Sequence, residues 1–167
     1  MIDVRKLENS CGSDVCAYRG KGRGVCSFRE GAYCPMYTAY KPVFFQEKEF
    51  QRCTPACSMK DMHPAFLKVL DSIRDKAGIP IVLNCAYRSK SYDQQKGRSG
   101  KSAHCYGMAV DIRCNTSANR NKIIRVAYEC GVTRIGVATT FIHVDIGENV
   151  GLPANVTWTY DANGNAV

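Results

Sequence analysis

The sequence predicts an α+β domain built on a largely antiparallel sheet. Three observations carry this. Several short apolar runs have strand character, and two longer stretches place apolar residues at steps of three and four. Helix and strand patterns also interleave without the strict alternation that a parallel β-α-β sheet requires. With 167 residues, 45% of them hydrophobic and 23% charged, the chain suffices for one globular domain and a small appendage.

The appendage is expected at residues 1–42. Gly20, Gly22, Gly24 and Gly31 interrupt any periodicity there, and aliphatic residues are too few to build a core. The segment must therefore be held by cross-linking, by a metal or by docking on the remainder, 43–167. Cys11, Cys16, Cys26 and Cys34 are spaced by four, nine and seven intervening residues, without a C-x-x-C knuckle. That spacing argues against a structural zinc at these four positions.

From Val43 the pattern becomes regular. Ser58-Met-Lys-Asp61 matches a capping box and is expected to open a helix running to about Lys76. Met62, Phe66, Leu70, Ile73 and Ala77 form its apolar stripe, Pro64 falls within its first turns, and Gly78 with Pro80 ends it. Residues 79–85 read as a strand, 89–96 as a short polar helix and 97–101 as a loop. Residues 108–114 form the next strand. A helix capped by Ser117 should run to Cys130 with Ile123, Ile124, Ala127 and Cys130 inward. Strands follow at 134–138, 140–146 and 155–160. No internal repeat is visible.

Charge and cysteine content bound the function. Lys and Arg total 23 against 15 Asp and Glu, a formal net charge of +8, which favours anionic partners. The charge is diffuse, and no recognition-helix or aromatic-platform pattern accompanies it, so a nucleic-acid partner is not expected. No run approaches the roughly 18 apolar residues of a membrane span. The start, Met1-Ile-Asp-Val-Arg-Lys-Leu-Glu-Asn9, lacks the apolar stretch of a secretory signal, so synthesis in a cytoplasm is expected. In that reducing setting the ten cysteines are expected as thiols, with Cys85, Cys105, Cys114 and Cys130 acting as small buried hydrophobes. Cys53 and Cys57 form a separate C-x-x-x-C pair.

The chemistry concentrates in two segments, Ser102-Ala-His104-Cys-Tyr-Gly107-Met-Ala-Val-Asp111-Ile and Phe141-Ile-His143-Val-Asp145. They hold two of the three histidines of the chain. Two imidazoles and a carboxylate are the protein ligands of a catalytic zinc whose remaining position takes water. His104 and Asp111 are seven apart, so reaching one ion requires a turn, and Gly107 lies between them to make it. Asp111 stands among aliphatics, where an unpaired carboxylate is costly. Alternation puts Phe141, His143 and Asp145 on one strand face. Asp145 has two candidate roles, orienting a ligand by hydrogen bond or serving as general base. Glu148 is a second candidate base, and His63 is read as a surface or capping residue.

The joint pattern S-x-H-x-x-G-x-A-x-D followed by F-I-H-V-D resembles the zinc D-Ala-D-Ala carboxypeptidases and endopeptidases of the M15 family, which share their fold with the hedgehog signalling domain. Phe50 to Met62, Arg74-Asp-Lys-Ala-Gly78 and Pro80-Ile-Val-Leu-Asn-Cys-Ala-Tyr-Arg88-Ser resemble the short phage-type members, and the likeness covers about residues 45–160. It implies a hedgehog/DD-peptidase-like fold with helices flanking a central sheet. It also implies one catalytic zinc on His104, Asp111 and His143, with Arg88 and Ser102 toward the substrate. Where many members carry an acidic base three positions before the last histidine, this chain has Thr140, which leaves Asp145 to take that role in the H-x-D form. The implied activity is hydrolysis of an amide bond in the peptidoglycan stem peptide or cross-link by a lysis or wall-remodelling enzyme, synthesised in the cytoplasm and acting at the wall after release. The alternative is a non-catalytic zinc-stabilised binding module.

Overall fold

The computed structural model describes residues 40–161 and 166–167. The cysteine set Cys11, Cys16, Cys26 and Cys34 lies outside the described residues. A five-stranded sheet, ordered β1-β2-β4-β3-β5, organises the domain. Its strands are β1 (Leu83–Cys85), β2 (Ala109–Arg113), β3 (Arg134–Val137), β4 (Phe141–Asp145) and β5 (Val156–Thr159). All neighbours pair antiparallel except β3 and β5, which are parallel. The α+β class with a largely antiparallel sheet is thus what the chain adopts.

Alternation within the strands divides the sheet into two unlike faces. Val110, Ile112, Ile135, Ile142 and Val144 are fully buried and belong to one continuous apolar core. That core includes helices α2 (Pro64–Ala77) and α4 (Ser117–Glu129). Phe66, Leu70 and Ile73 supply the stripe of α2, and Ile123, Val126 and Ala127 that of α4. Each such side chain contributes about 1.5–3 kcal/mol on burial. The other face carries Asp111, Arg113, Phe141, His143 and Asp145.

The start of α2 departs from expectation. Ser58 and Asp61 do form a reciprocal capping box, but it closes only the 3-10 turn Met59–Asp61. The residue before a proline is pushed toward extended backbone, so His63 (φ −67°, ψ 128°) breaks the path and the α-helix restarts with Pro64 in its first turn. His63 is the cap, its Nδ1 accepting the Ala65 amide at 3.2 Å. Gly78 ends the helix in the left-handed region at φ +56°. The cap of α4 is Thr116, one residue before the expected Ser117, with Oγ1 accepting the Asn119 amide at 3.2 Å.

Helix α1 (Glu47–Gln51) was not legible, being shorter than the window a helical period needs. It is held by long-range contacts. Arg74 of α2 makes a two-pronged ion pair with Glu49, at 2.6 and 3.1 Å, and lies over the Phe45 ring at 3.5 Å. Buried Asp71 gathers the strand of chain before α1, accepting Tyr40 Oη at 2.8 Å, Val43 N at 2.6 Å and Phe44 N at 3.2 Å. The short helix α3 (Lys90–Gln95), capped by Ser89, completes the fold near the polar face.

Candidate metal centre

A single row of cross-strand neighbours builds the polar face: Cys85 opposite Asp111, Asp111 opposite His143, His143 opposite Gly136, and Gly136 opposite Trp158. The row crosses all five strands. His104 joins it from the 3-10 turn Ala103–Tyr106, which precedes β2. Gly107 ends that turn at φ +67°, and a Cβ there would lie 2.3 Å from the Asp61 carbonyl. Glycine is required on both counts. The backbone it brings close is that of residues 61–63, and the His63 amide donates to the Gly107 carbonyl at 2.9 Å.

Three donor atoms converge. His104 Nε2 and His143 Nδ1 are 3.2 Å apart, His143 Nδ1 and Asp111 Oδ1 2.9 Å, and His104 Nε2 and Asp111 Oδ1 3.4 Å. Tetrahedral zinc with ligands near 2.0–2.1 Å separates its donors by roughly 3.3 Å, so this triangle fits an ion of that size. The remote nitrogens are already engaged. His104 Nδ1 donates to the Ala86 carbonyl at 2.5 Å, and His143 Nε2 donates to Asp145 Oδ2 at 2.7 Å. Since a carbonyl and a carboxylate only accept, the neutral form of each ring turns the lone pair of its other nitrogen into the triangle.

Electrostatics agree with the geometry. Burial opposes charge on both rings and holds His104 below the ordinary histidine range. On His143 burial is outweighed by hydrogen bonds to Asp111 and Asp145, and its pKa is raised to about 9. Burial acts on Asp111 too, yet the two imidazoles hold its carboxyl well below the usual range. The carboxylate and the two imidazole nitrogens thus favour positive charge at the centre of the triangle.

Cys85 is a residue that sequence reasoning placed in the core. Its sulfur, a His104 ring nitrogen and an Asp111 oxygen all lie within 4.8 Å of one another, so Cys85, His104 and Asp111 form a second candidate donor set. The Cys85 sulfur faces His104 Nδ1 at 3.8 Å, the nitrogen turned away from the triangle. Burial and the Asp111 charge raise its pKa to about 12, which keeps it a thiol and the weaker donor.

Of the two roles weighed for Asp145, the geometry fits ligand orientation. Both oxygens are occupied: Oδ2 by His143, and Oδ1 by Arg134 Nε and the Gly147 amide, each at 2.6 Å. Burial raises and these bonds lower its pKa, which lies below the ordinary value. Glu148 Oε1 accepts the Thr133 hydroxyl at 3.3 Å. Arg134 also donates to the Pro153 carbonyl and lies 5.4 Å from the Trp158 ring, which packs on His143 at 5.3 Å.

Arg88 is buried rather than on the surface. Its Nε lies 3.3 Å from Asp93 Oδ1, and Nη2 donates to Ser102 Oγ at 3.4 Å. Asp93, fully buried, also accepts the Gly100 amide at 3.1 Å and the Ser102 hydroxyl at 3.4 Å. It ties together the segments before and after α3 that carry the two expected substrate residues, and no local signal marked it. A cleft of about 740 Å³ runs beside the triangle, lined by Cys85 and Asp111 and by Arg52, Thr54, Arg113 and Phe141.

A sheet and an adjoining turn that bring two nitrogen donors and one carboxylate together beside an open cleft have the construction of a metal-dependent hydrolase. Residues 43–145 match the family model described as Peptidase M15, and the chain belongs to that family of zinc peptidases. The matched span includes Arg88, His104, Asp111, His143 and Asp145. No curated protein matches the chain. No helix among the described residues is long and apolar enough to cross a membrane.

Proposed function

We propose that this chain is a zinc-dependent peptidase that hydrolyses an amide bond in the peptidoglycan stem peptide or its cross-link, in a lysis or wall-remodelling role at the bacterial wall. The observation that carries this reading is the donor triangle of His104, Asp111 and His143, found within a chain of the M15 family. His104, Asp111 and His143 would hold the zinc, which would supply Lewis-acid polarisation of a peptide carbonyl and activation of water. The chain's own residues do the rest. Ala86 and Asp145 fix the two imidazole tautomers, and Arg134 fixes Asp145. Arg88, aligned by Asp93, presents a fixed guanidinium to a substrate carboxylate or carbonyl, with Ser102 beside it. Stem peptides carry several carboxylates, which suits a cleft whose lining includes Arg52 and Arg113.

A second reading, a zinc-stabilised binding module without turnover, draws on one observation: Asp145 has both oxygens engaged, and Thr140 stands where an acidic base is expected. Digestion of purified peptidoglycan followed by mass spectrometry separates the two. Stem-peptide fragments released by the wild type and lost with His104→Ala are the expected result. Stoichiometric zinc with no fragments from walls of several chemotypes would overturn the peptidase reading in favour of the module.

A further inference from the structure

The Cys53–Cys57 pair lies outside the metal centre, and nothing in the proposed peptidase chemistry uses it. It sits in the loop between α1 and the capping-box turn. Both backbones converge on one acceptor: the amides of Cys53 and Cys57 donate to the Phe50 carbonyl, at 3.1 and 3.3 Å. The Cys57 thiol lies on the same oxygen at 3.7 Å, and the Cys53 thiol on the Glu49 carbonyl one residue earlier at 3.5 Å. The two thiols thus sit on the carbonyls of consecutive residues at the end of α1. Cys53 is buried at 4% exposure, whereas Cys57 is partly exposed. Side chains this placed, one accessible and one behind it, have the arrangement of an attacking and a resolving thiol.

We propose that Cys57 and Cys53 form a thiol–disulfide exchange site that reacts with low-molecular-weight disulfides and closes to an internal disulfide. The Cys57 thiolate attacks one sulfur of the small disulfide RSSR. That S–S bond breaks, RS⁻ leaves and a Cys57–S–SR bond forms. Cys53 gives its proton to solvent and attacks the Cys57 sulfur, forming Cys53–S–S–Cys57 and releasing the second RS⁻. Two protein thiols are oxidised, and one small disulfide is reduced to two thiols. Interaction with Cys53 holds Cys57 below the usual thiol range against the opposing effect of burial, and the same interaction together with burial pushes Cys53 upward. The accessible sulfur is thus also the better nucleophile.

The site is coupled to the cleft. Thr54, inside the loop, donates its amide to the Asn84 carbonyl on β1 at 2.8 Å, and Arg52 and Thr54 both line the cleft wall. Closure would brace that wall from behind.

The test is a time course of the full chain with glutathione disulfide, quenched by alkylation under denaturing conditions and mapped by mass spectrometry. Cleavage after Arg52 and Lys60 puts both cysteines in one peptide, 53–60, apart from the other eight. The expected result is a transient single-glutathione adduct on that peptide, followed by its conversion to the internally linked form lacking two hydrogens. In Cys53→Ser the adduct should persist on Cys57. In Cys57→Ser the peptide should react at least about tenfold more slowly. A 53–60 peptide that remains a dithiol, keeps its adduct or links to another cysteine in the wild type would overturn the proposal. Because the readout is mass rather than hydrolysis, its failure is independent of the peptidase reading.

Discussion

Asp145 grips His143 from within the same strand: its Oδ2 takes the Nε2 proton at 2.7 Å, while Oδ1 is pinned by Arg134 and the Gly147 amide. The imidazole is therefore held in one tautomer and one orientation by a carboxylate that cannot itself turn. Such outer partners typically contribute 10–100-fold in metal affinity. Asp145→Asn should weaken zinc binding by about 10–100-fold in a chelator competition assay. Unchanged affinity with lost turnover would instead mark Asp145 as the base.

The only tryptophan of the chain, Trp158, packs on His143 and folds across Gly136. A Cβ on Gly136 would sit 2.7 Å from Trp158 Nε1 and 2.6 Å from Tyr160 Oη. Gly136→Ala should displace the indole, destabilise the fold by about 1–3 kcal/mol in urea unfolding, and shift the emission spectrum. An unperturbed spectrum and midpoint would refute the tight seat assigned to Trp158.

Metal binding itself should be visible through that indole. Adding zinc to metal-free protein is expected to change Trp158 emission, because the ring lies 5.3 Å from His143. The change should saturate at one zinc for the centre and disappear in His143→Ala. If His143→Ala retains the full response, Cys85, His104 and Asp111 hold the ion instead.

Much of this architecture can be read from local pattern. The runs that become β2, β3, β4 and β5 announce themselves by strand composition, and the alternation in Phe141-Ile-His-Val-Asp145 matches the observed register against Arg113, Asp111 and Ala109. The stripe from Phe66 to Ala77 is helical in sequence and in fact. What escapes are relationships made across the sheet. Cys85 looks like core until its pairing with Asp111 brings it to the donors, and Arg134 looks like a strand terminus until it meets Asp145. Asp93 lies in an unremarkable polar helix, and its role depends on Arg88, Gly100 and Ser102 folding back on it. No periodicity within one element encodes a partner in another.

Asp93 carries the heaviest structural burden among these. It is fully buried and paired with an arginine that is 9% exposed. Removing one partner of such a pair strands the other, at a cost of about 3–5 kcal/mol. Asp93→Ala should reduce stability by that amount in urea denaturation while leaving zinc stoichiometry intact. A neutral effect would mean that Arg88 is already solvated.

Glu148 should behave in the opposite sense. One carboxylate oxygen is buried without a hydrogen-bond partner, and burial raises its pKa above the ordinary glutamate value. A raised carboxyl pKa stabilises the fold at low pH, and that contribution is lost as pH rises through the folded value. Glu148→Gln should therefore raise the melting temperature at pH 7, with the gain vanishing below the ordinary glutamate value near 4.5. A gain that persists into acid would place its cause elsewhere.

The row Cys85–Asp111–His143–Gly136–Trp158 gives the sheet a further property. Two of the three candidate donors, Asp111 and His143, take their spacing from the pairing of β2 with β4. A slip of one residue would send Asp111 or His143 to the helix side and leave no chelate. With zinc on the proposed triangle, metal affinity would gauge strand alignment: a misregistered chain would lack the chelate, so loading would select the correctly paired sheet and make assembly of the centre a checkpoint on the fold.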